Sequence, residues 1–118
     1  MAPLKISVET RDRGVIARIS GQARNGEGDQ LRHSLAAIAA EKPSPVIIDL
    51  RGLSFIATEG LGELIHFREL LAAYGGRLQL AGADPRITEM FRQTRLGELF
   101  PIYPDPDAAL ADDAFDQR

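Results

Sequence analysis

The feature that most constrains this chain is a short apolar run set off by two prolines. Residues 43–52 read Pro-Ser-Pro-Val-Ile-Ile-Asp-Leu-Arg-Gly, and Val46, Ile47, Ile48 and Leu50 make the run nearly continuous in apolar side chains. Successive side chains of a strand point to opposite faces, so a strand without a polar face needs cover on both. The run therefore predicts a central strand in a sheet with helices packed on it.

The flanking sequence supplies those helices. Before the run, Leu31, Leu35, Ile38 and Ala39 fall on one face at helical spacing, Asp29 lies in the first turn, and Pro43 and Pro45 end the helix. After it, a helix is expected from about Thr58 to Tyr74, with Leu61, Leu64, Ile65, Leu70 and Leu71 as its stripe and Gly75-Gly76 as its stop. Leu78 and Leu80 alternate with Arg77 and Gln79 as a further strand. Asp84-Pro85 and Asp105-Pro106 each pair an N-cap residue with proline at the first helical position. The first opens a helix carrying Ile87, Met90 and Phe91 and ended by Gly97; the second opens a short one. Between them, Leu99, Phe100, Ile102 and Tyr103 predict a last strand.

At the other end, Leu4, Ile6 and Val8, then Val15, Ala17 and Ile19, alternate with polar residues across a turn at Asp12-Arg13-Gly14. This is the pattern of an antiparallel hairpin. Residues 21–28 have loop composition. The order predicts an α/β fold: a mixed four- to five-stranded sheet packed with amphipathic helices, in a single domain spanning residues 1–118. The acidic tail, 112–118, is expected to fray.

Right-handed crossovers make the strands at 15–20, 46–50 and 77–81 parallel, so the loops that follow them leave the sheet at one edge. Arg24, the segment Arg51–Gly60 and Asp84 should gather there, at the edge where open sheets bind ligands.

Charge narrows the function. The net charge is −3, without a basic block, which argues against nucleic acid or an anionic membrane as partner. The chain has no cysteine, which excludes disulfides and thiolate chemistry. No apolar run reaches the roughly 18–20 residues of a membrane span. A cytoplasmic protein is the expectation.

Residues 49–65, Asp-Leu-Arg-Gly-Leu-Ser-Phe-Ile-Ala-Thr-Glu-Gly-Leu-Gly-Glu-Leu-Ile, resemble the signature of STAS domains, which occur in anti-sigma factor antagonists, stressosome proteins and the tails of anion transporters. The family pattern is Asp-Leu, a short apolar loop, then Asp-Ser-Ser-Gly-Leu-Gly opening a helix. The resemblance covers nearly the whole chain. It implies a non-catalytic protein-binding module in regulation of transcription, with no cofactor. The implied partner is an anti-sigma factor of kinase type or another STAS protein, and a homodimer remains open. It also implies that the second Ser of the pattern is the phospho-acceptor, whose phosphate abolishes partner binding.

Here the chain departs from the pattern. Ala57-Thr58-Glu59-Gly60 stands where the family has Asp-Ser-Ser-Gly, so Glu59 occupies the acceptor position without a hydroxyl and Ala57 replaces an acid. Gly21-Gln22-Ala23-Arg24 stands where the family often has Gly-Glu-Leu-Asp. Each residue has a plain reading beside the sharp one. Glu59 is either a built-in phosphoserine mimic or a favourable first-turn acid worth about 0.3–1 kcal/mol. Thr58 is either a shifted phospho-acceptor or an N-cap worth about 1 kcal/mol, and the cap is favoured. Arg24 either pairs with Glu59 or grips an acidic partner. Gly60 and Gly62 suggest close packing of helix on sheet; a phosphate cradle would need a P-loop Lys that is missing. His33 and His66 lie on different helices, which argues against a metal site. Two further functions stay in play: a STAS accessory subunit of a membrane transporter, and a small-ligand or nucleotide-binding sensor at the loop edge.

Overall fold

A computed structural model describes residues 3–12 and 14–112. The elements run β1 (Lys5–Arg11), β2 (Gly14–Ala23), α1 (Gly28–Ala40), β3 (Val46–Asp49), β4 (Leu53–Ile56), α2 (Thr58–Ala72), β5 (Leu78–Ala81), α3 (Pro85–Gln93), a 3-10 turn at Leu96–Glu98, β6 (Ile102–Tyr103) and α4 (Pro106–Leu110). The frayed tail expected at 112–118 lies, beyond Asp112, outside the described residues.

The sheet is six-stranded and mixed, in the order β1-β2-β3-β5-β6, with β4 added to the far end of β2. The β1–β2 hairpin is antiparallel; β2–β3, β3–β5 and β5–β6 are all parallel. This exceeds the expected four or five strands for two local reasons. The Gly21–Ala23 stretch, expected as loop, continues β2 past the end of β3, and β4 pairs with it from a segment also expected as loop. Leu99 and Phe100 precede the last strand and do not belong to it, which leaves β6 two residues long.

β3 is covered on both faces as its composition requires: Val46, Ile47 and Ile48 are fully buried. Val46 and Ile48 join the main core with Leu31, Leu35 and Ile38 of α1, Leu61, Leu64 and Phe67 of α2, Leu80 of β5, and Ile87 and Phe91 of α3. Ile47 faces the other way, into a small core with Ile16, Ala81 and Ala109 beneath α4. Within α2 the buried residues are Gly60, Leu61, Leu64, Phe67 and Leu71. Ile65 and Leu70, expected in the stripe, are half-buried, and Phe67 takes the central place.

Helix ends follow the local signals where those are self-contained. Asp84 accepts the Ile87 N–H at 3.0 Å, Asp105 accepts the Ala108 N–H at 2.8 Å, and a proline follows each. At the end of α2, Gly76 N–H donates to Leu71 O at 2.8 Å around Gly75 in the left-handed region. The stop of α3 differs from expectation: the helix closes at Gln93, Arg95 takes the left-handed conformation, and Gly97 falls inside the following 3-10 turn.

Candidate functional site

β2, β3 and β5 run parallel, and their C-terminal ends open onto one edge of the sheet. The loop after β2 carries Arg24, the loop after β3 carries Arg51, and the loop after β5 carries Asp84. β4 brings the start of α2 to the same edge, because Ala57 N–H donates to Ala23 O at 2.7 Å.

That bond also decides where α2 begins. Ala57, buried and extended, is the N-cap residue and has no side-chain oxygen to offer; Thr58 is the first helical residue and is exposed. Thr58 is therefore not the N-cap that its sequence context suggests. Its hydroxyl lies one residue too late, because the strand that positions the helix is anchored at Ala57.

Glu59 sits in the first turn of α2, exposed, at the same edge as Arg24. Its carboxylate is shared between two backbone donors of the loop after β2. Gly26 N–H donates to Oε2 at 2.9 Å and Gly28 N–H donates to Oε1 at 2.9 Å. Gly28 is the first residue of α1, whose N-cap, Glu27, makes no side-chain cap bond. Glu59 thus places one anion at the N-termini of two helices, where unpaired N–H groups and the helix dipoles favour it. The contact is tight: a Cβ on Gly28 would stand 2.0 Å from Glu59 Oε1.

Arg24 belongs to the same loop. Its N–H donates to Glu27 Oε1 at 3.0 Å, Glu27 N–H returns a bond to Arg24 O at 3.1 Å, and its guanidinium donates to Gln22 Oε1. The loop is thus closed on itself at one end and clamped by Glu59 at the other. Gly60 packs against the sheet, where a Cβ would lie 2.8 Å from Ile56 Cγ1 and 3.6 Å from Ala23 Cβ. Gly62 has open space around its α-carbon, so the packing argument holds for Gly60 and fails for Gly62. Phe55, 42% exposed, adds an apolar side chain one strand residue before this turn.

The middle loop is organised by Asp49, which is 3% exposed. Its carboxylate accepts from Arg51 N–H at 3.1 Å, from Arg51 Nε at 3.0 Å and Nη2 at 2.9 Å, and from Arg18 Nε at 3.2 Å. Burial pushes the Asp49 pKa up, the Arg51 hydrogen bonds and charge pull it down further, and the balance lies below the usual carboxylate value. Gly82, with φ of 74°, makes room for the Arg51 stem, since a Cβ there would lie 2.2 Å from Arg51 Cγ. Asp84 is occupied with capping α3 and bonding Arg86, which together hold its pKa below the usual value.

The sequence named Arg24, Ala57, Thr58, Glu59 and Gly60, and the structure brings Ala57, Glu59 and Gly60 against the loop that Arg24 begins. It missed Gly26 and Gly28, whose N–H groups hold the carboxylate, and the Asp49–Arg51 pair. The first signal was present only as two glycines in a loop 31 and 33 residues away. His33 and His66 are both exposed, on α1 and α2. Among the described residues no group of three His, Asp or Glu side chains could hold a metal ion, and no helix is long and apolar enough to cross a membrane.

Comparison with known proteins gives a consistent result. The model of the STAS domain matches residues 5–109. The chain is 26% identical over 110 residues to the anti-sigma-F factor antagonist RsfA of Mycobacterium tuberculosis, covering 92% of this chain and 86% of that one. Its structure resembles the crystal structure of an anti-sigma factor antagonist from Mycobacterium paratuberculosis, with a TM-score of 0.82 and 28% identity over 92% of both chains. It also resembles a sulfate transporter family protein from Wolinella succinogenes, with a TM-score of 0.71 and 27% identity over 81% of this chain and 80% of that one.

Proposed function

The chain belongs to the STAS domain family, and from that membership we propose that it is a non-catalytic, cytoplasmic docking module of the anti-sigma factor antagonist type. Its docking face is the strand-end edge around Arg24, Phe55 and Thr58–Gly60, and its partner is a protein, an anti-sigma factor of kinase type or another STAS protein.

The observation that carries the reading is the seat of Glu59. By resemblance it takes the position of the family's phospho-acceptor serine, and here it bonds to Gly26 and Gly28. A serine there is a switch: its hydroxyl is neutral until a phosphoryl group adds nearly two negative charges. A glutamate cannot accept that group, so a single carboxylate stands where the switchable hydroxyl would be. This domain is accordingly set in one docking state, with both the charge and the loop shape at the edge fixed. The exposed Thr58 hydroxyl is the alternative acceptor at this edge.

The test begins by identifying the partner, through affinity purification from the native cell with mass spectrometry. Partner affinity is then compared for wild type, Glu59→Ser and Glu59→Gln. We expect Glu59→Ser to shift affinity by about tenfold, or about 1.4 kcal/mol. Affinities within about twofold of each other would refute fixed-charge docking, as would phosphate on Thr58 of native protein.

A second reading is an accessory subunit of a membrane transporter, favoured by the likeness to the Wolinella succinogenes sulfate transporter family protein. Co-purification with an ATPase subunit would select it. The sensor reading has less behind it. The clefts of ≈ 480 and ≈ 570 Å³ are lined by Arg68, Arg77 and Phe100 and by Val8, Ala37 and Ile38, away from the strand-end edge.

A further inference from the structure

We propose that β1 is the seam of a symmetric homodimer, in which the β1 strands of two copies pair antiparallel with Ser7 on the two-fold axis. Among the described residues β1 ends the sheet, with β2 on one side and no strand on the other. It pairs with β2 over seven residues without a bulge, and no proline interrupts Lys5–Arg11. Such an edge is a ready template for another strand unless it is blunted.

The hairpin fixes which backbone groups are on offer. Arg11 and Gly14 close it across a two-residue connection, so they form a hydrogen-bonded pair. With a period of two and no bulge, Lys5, Ser7 and Glu9 also direct their N–H and C=O groups to β2. Ile6, Val8 and Thr10 direct theirs outward.

Side-chain charge then favours one register, the one that sets Lys5 against Glu9 twice; with Ile6 facing itself both of those pairs are lost. With Ser7 facing its own copy, Ile6 bonds to the partner subunit's Val8 and Val8 to the partner subunit's Ile6. Lys5 lies opposite the partner subunit's Glu9, and Glu9 opposite the partner subunit's Lys5. These are non-hydrogen-bonded positions, where facing side chains come closest. Sliding the strands so that Val8 faces itself sets Lys5 against the partner subunit's Arg11. Sliding further sets Glu9 against the partner subunit's Glu9. Both put like charges face to face.

The apolar side of β1 agrees with this register. Ile6, Val8 and Thr10 floor a cleft of ≈ 570 Å³ whose far wall is Ala37 and Ile38 of α1. Val8 is 53% exposed there, the most exposed large apolar side chain among the described residues. A two-fold axis normal to the sheet puts both clefts on the same side of the joined sheet, so that each copy's Ile6 and Val8 extend the floor of the other's cleft. The strand-end edges stay uncovered and point in opposite directions, so the dimer would offer two docking faces.

The experiment is sedimentation velocity over a concentration series with three variants. Wild type should dimerise weakly, with a Kd between about 1 μM and 1 mM, as expected of a small interface. Lys5→Glu and Glu9→Lys each set like charges across the seam and should raise the Kd at least about tenfold. Mixed together, the two variants should form a heterodimer with a Kd within about threefold of the wild-type value, because acid then faces base at all four positions. Glu9 also bonds Arg11 and Arg18 of its own chain, so circular dichroism must first show Glu9→Lys folded. Val8→Pro is the second route: it removes an outward N–H, leaves the β2 ladder intact and should abolish the dimer. A wild type monomeric at about 1 mM overturns the proposal. So does a dimer that tolerates Val8→Pro, or one that the mixed pair does not restore.

Discussion

If Glu59 is the clamp that ties α2 to α1, the effect of Gly28→Ala must depend on which residue stands at 59. Alanine is the better helix residue, by about 0.5–1 kcal/mol over glycine. At Gly28, however, the three atoms nearest to an added Cβ all belong to Glu59, at 2.0 to 2.7 Å. The side chain can swing away, but only by giving up its bonds to Gly26 and Gly28. Bonds to an ionised acceptor are worth about 1.5–3 kcal/mol when shielded. This site is open to solvent, which brings the pair to about 1–2 kcal/mol together, the range of a helix N-cap. Glu59→Ser should therefore destabilise by about 1–2 kcal/mol, and Gly28→Ala by about 0.5–1 kcal/mol once the helix gain offsets part of the same loss. In the Glu59→Ser background the sign should reverse, and Gly28→Ala should be stabilising by about 0.5–1 kcal/mol, a coupling of about 1–2 kcal/mol across the cycle. Urea denaturation followed by circular dichroism measures all four proteins, and each kcal/mol should also move Tm by roughly 3–6 °C. If Gly28→Ala is equally destabilising in both backgrounds, the glycine serves the backbone alone and the clamp argument fails.

Two further outcomes follow from the loops beside it. Gly82→Ala forces a side chain into the left-handed region and against the Arg51 stem, 2.2 Å away, so it should cost about 2 kcal/mol or more in thermal unfolding; an unchanged Tm would refute this. Asp49→Asn should destabilise most near neutral pH. The folded pKa of Asp49 is depressed, so its contribution is fully present above the unfolded carboxylate value of about 3.9 and is lost as pH falls through the folded one. The stability gap between wild type and Asp49→Asn should narrow below about pH 4, and a gap of constant size down to about pH 3 would refute the assignment.

What the sequence disclosed was whatever a residue settles with its near neighbours. Asp84 and Asp105 cap helices three residues away, and their proline partners made both starts readable. The two-sided burial of β3 was written in its composition. What escaped was settled at long range. β4 is four residues, Leu-Ser-Phe-Ile, with a partner 32 or 33 positions earlier in a stretch of glycine and glutamine. Once β4 is missed the start of α2 slips by one residue, and Thr58 looks like a cap. Glu59 could be read as a first-turn acid, but its bonds to Gly26 and Gly28 depend on two loops meeting, which no local pattern announces.

The small core beneath α4 has a consequence in time. A helix of five residues has no stability of its own. α4 persists because Pro106 and Ala109 are buried, because Asp105 caps it, and because Gln79, buried in β5, donates to Ala109 O at 3.2 Å. The six strands of the described residues are all synthesised before it. Until α4 leaves the ribosome, the sheet face bearing Ile16, Ile47 and Ala81 lacks Ala109 and Leu110 and, among the described residues, keeps Tyr103 against it. The sheet can assemble first, yet the nascent domain stays adhesive until α4 has been delivered, and that interval is when a chaperone or a neighbouring chain can compete for the uncovered apolar surface.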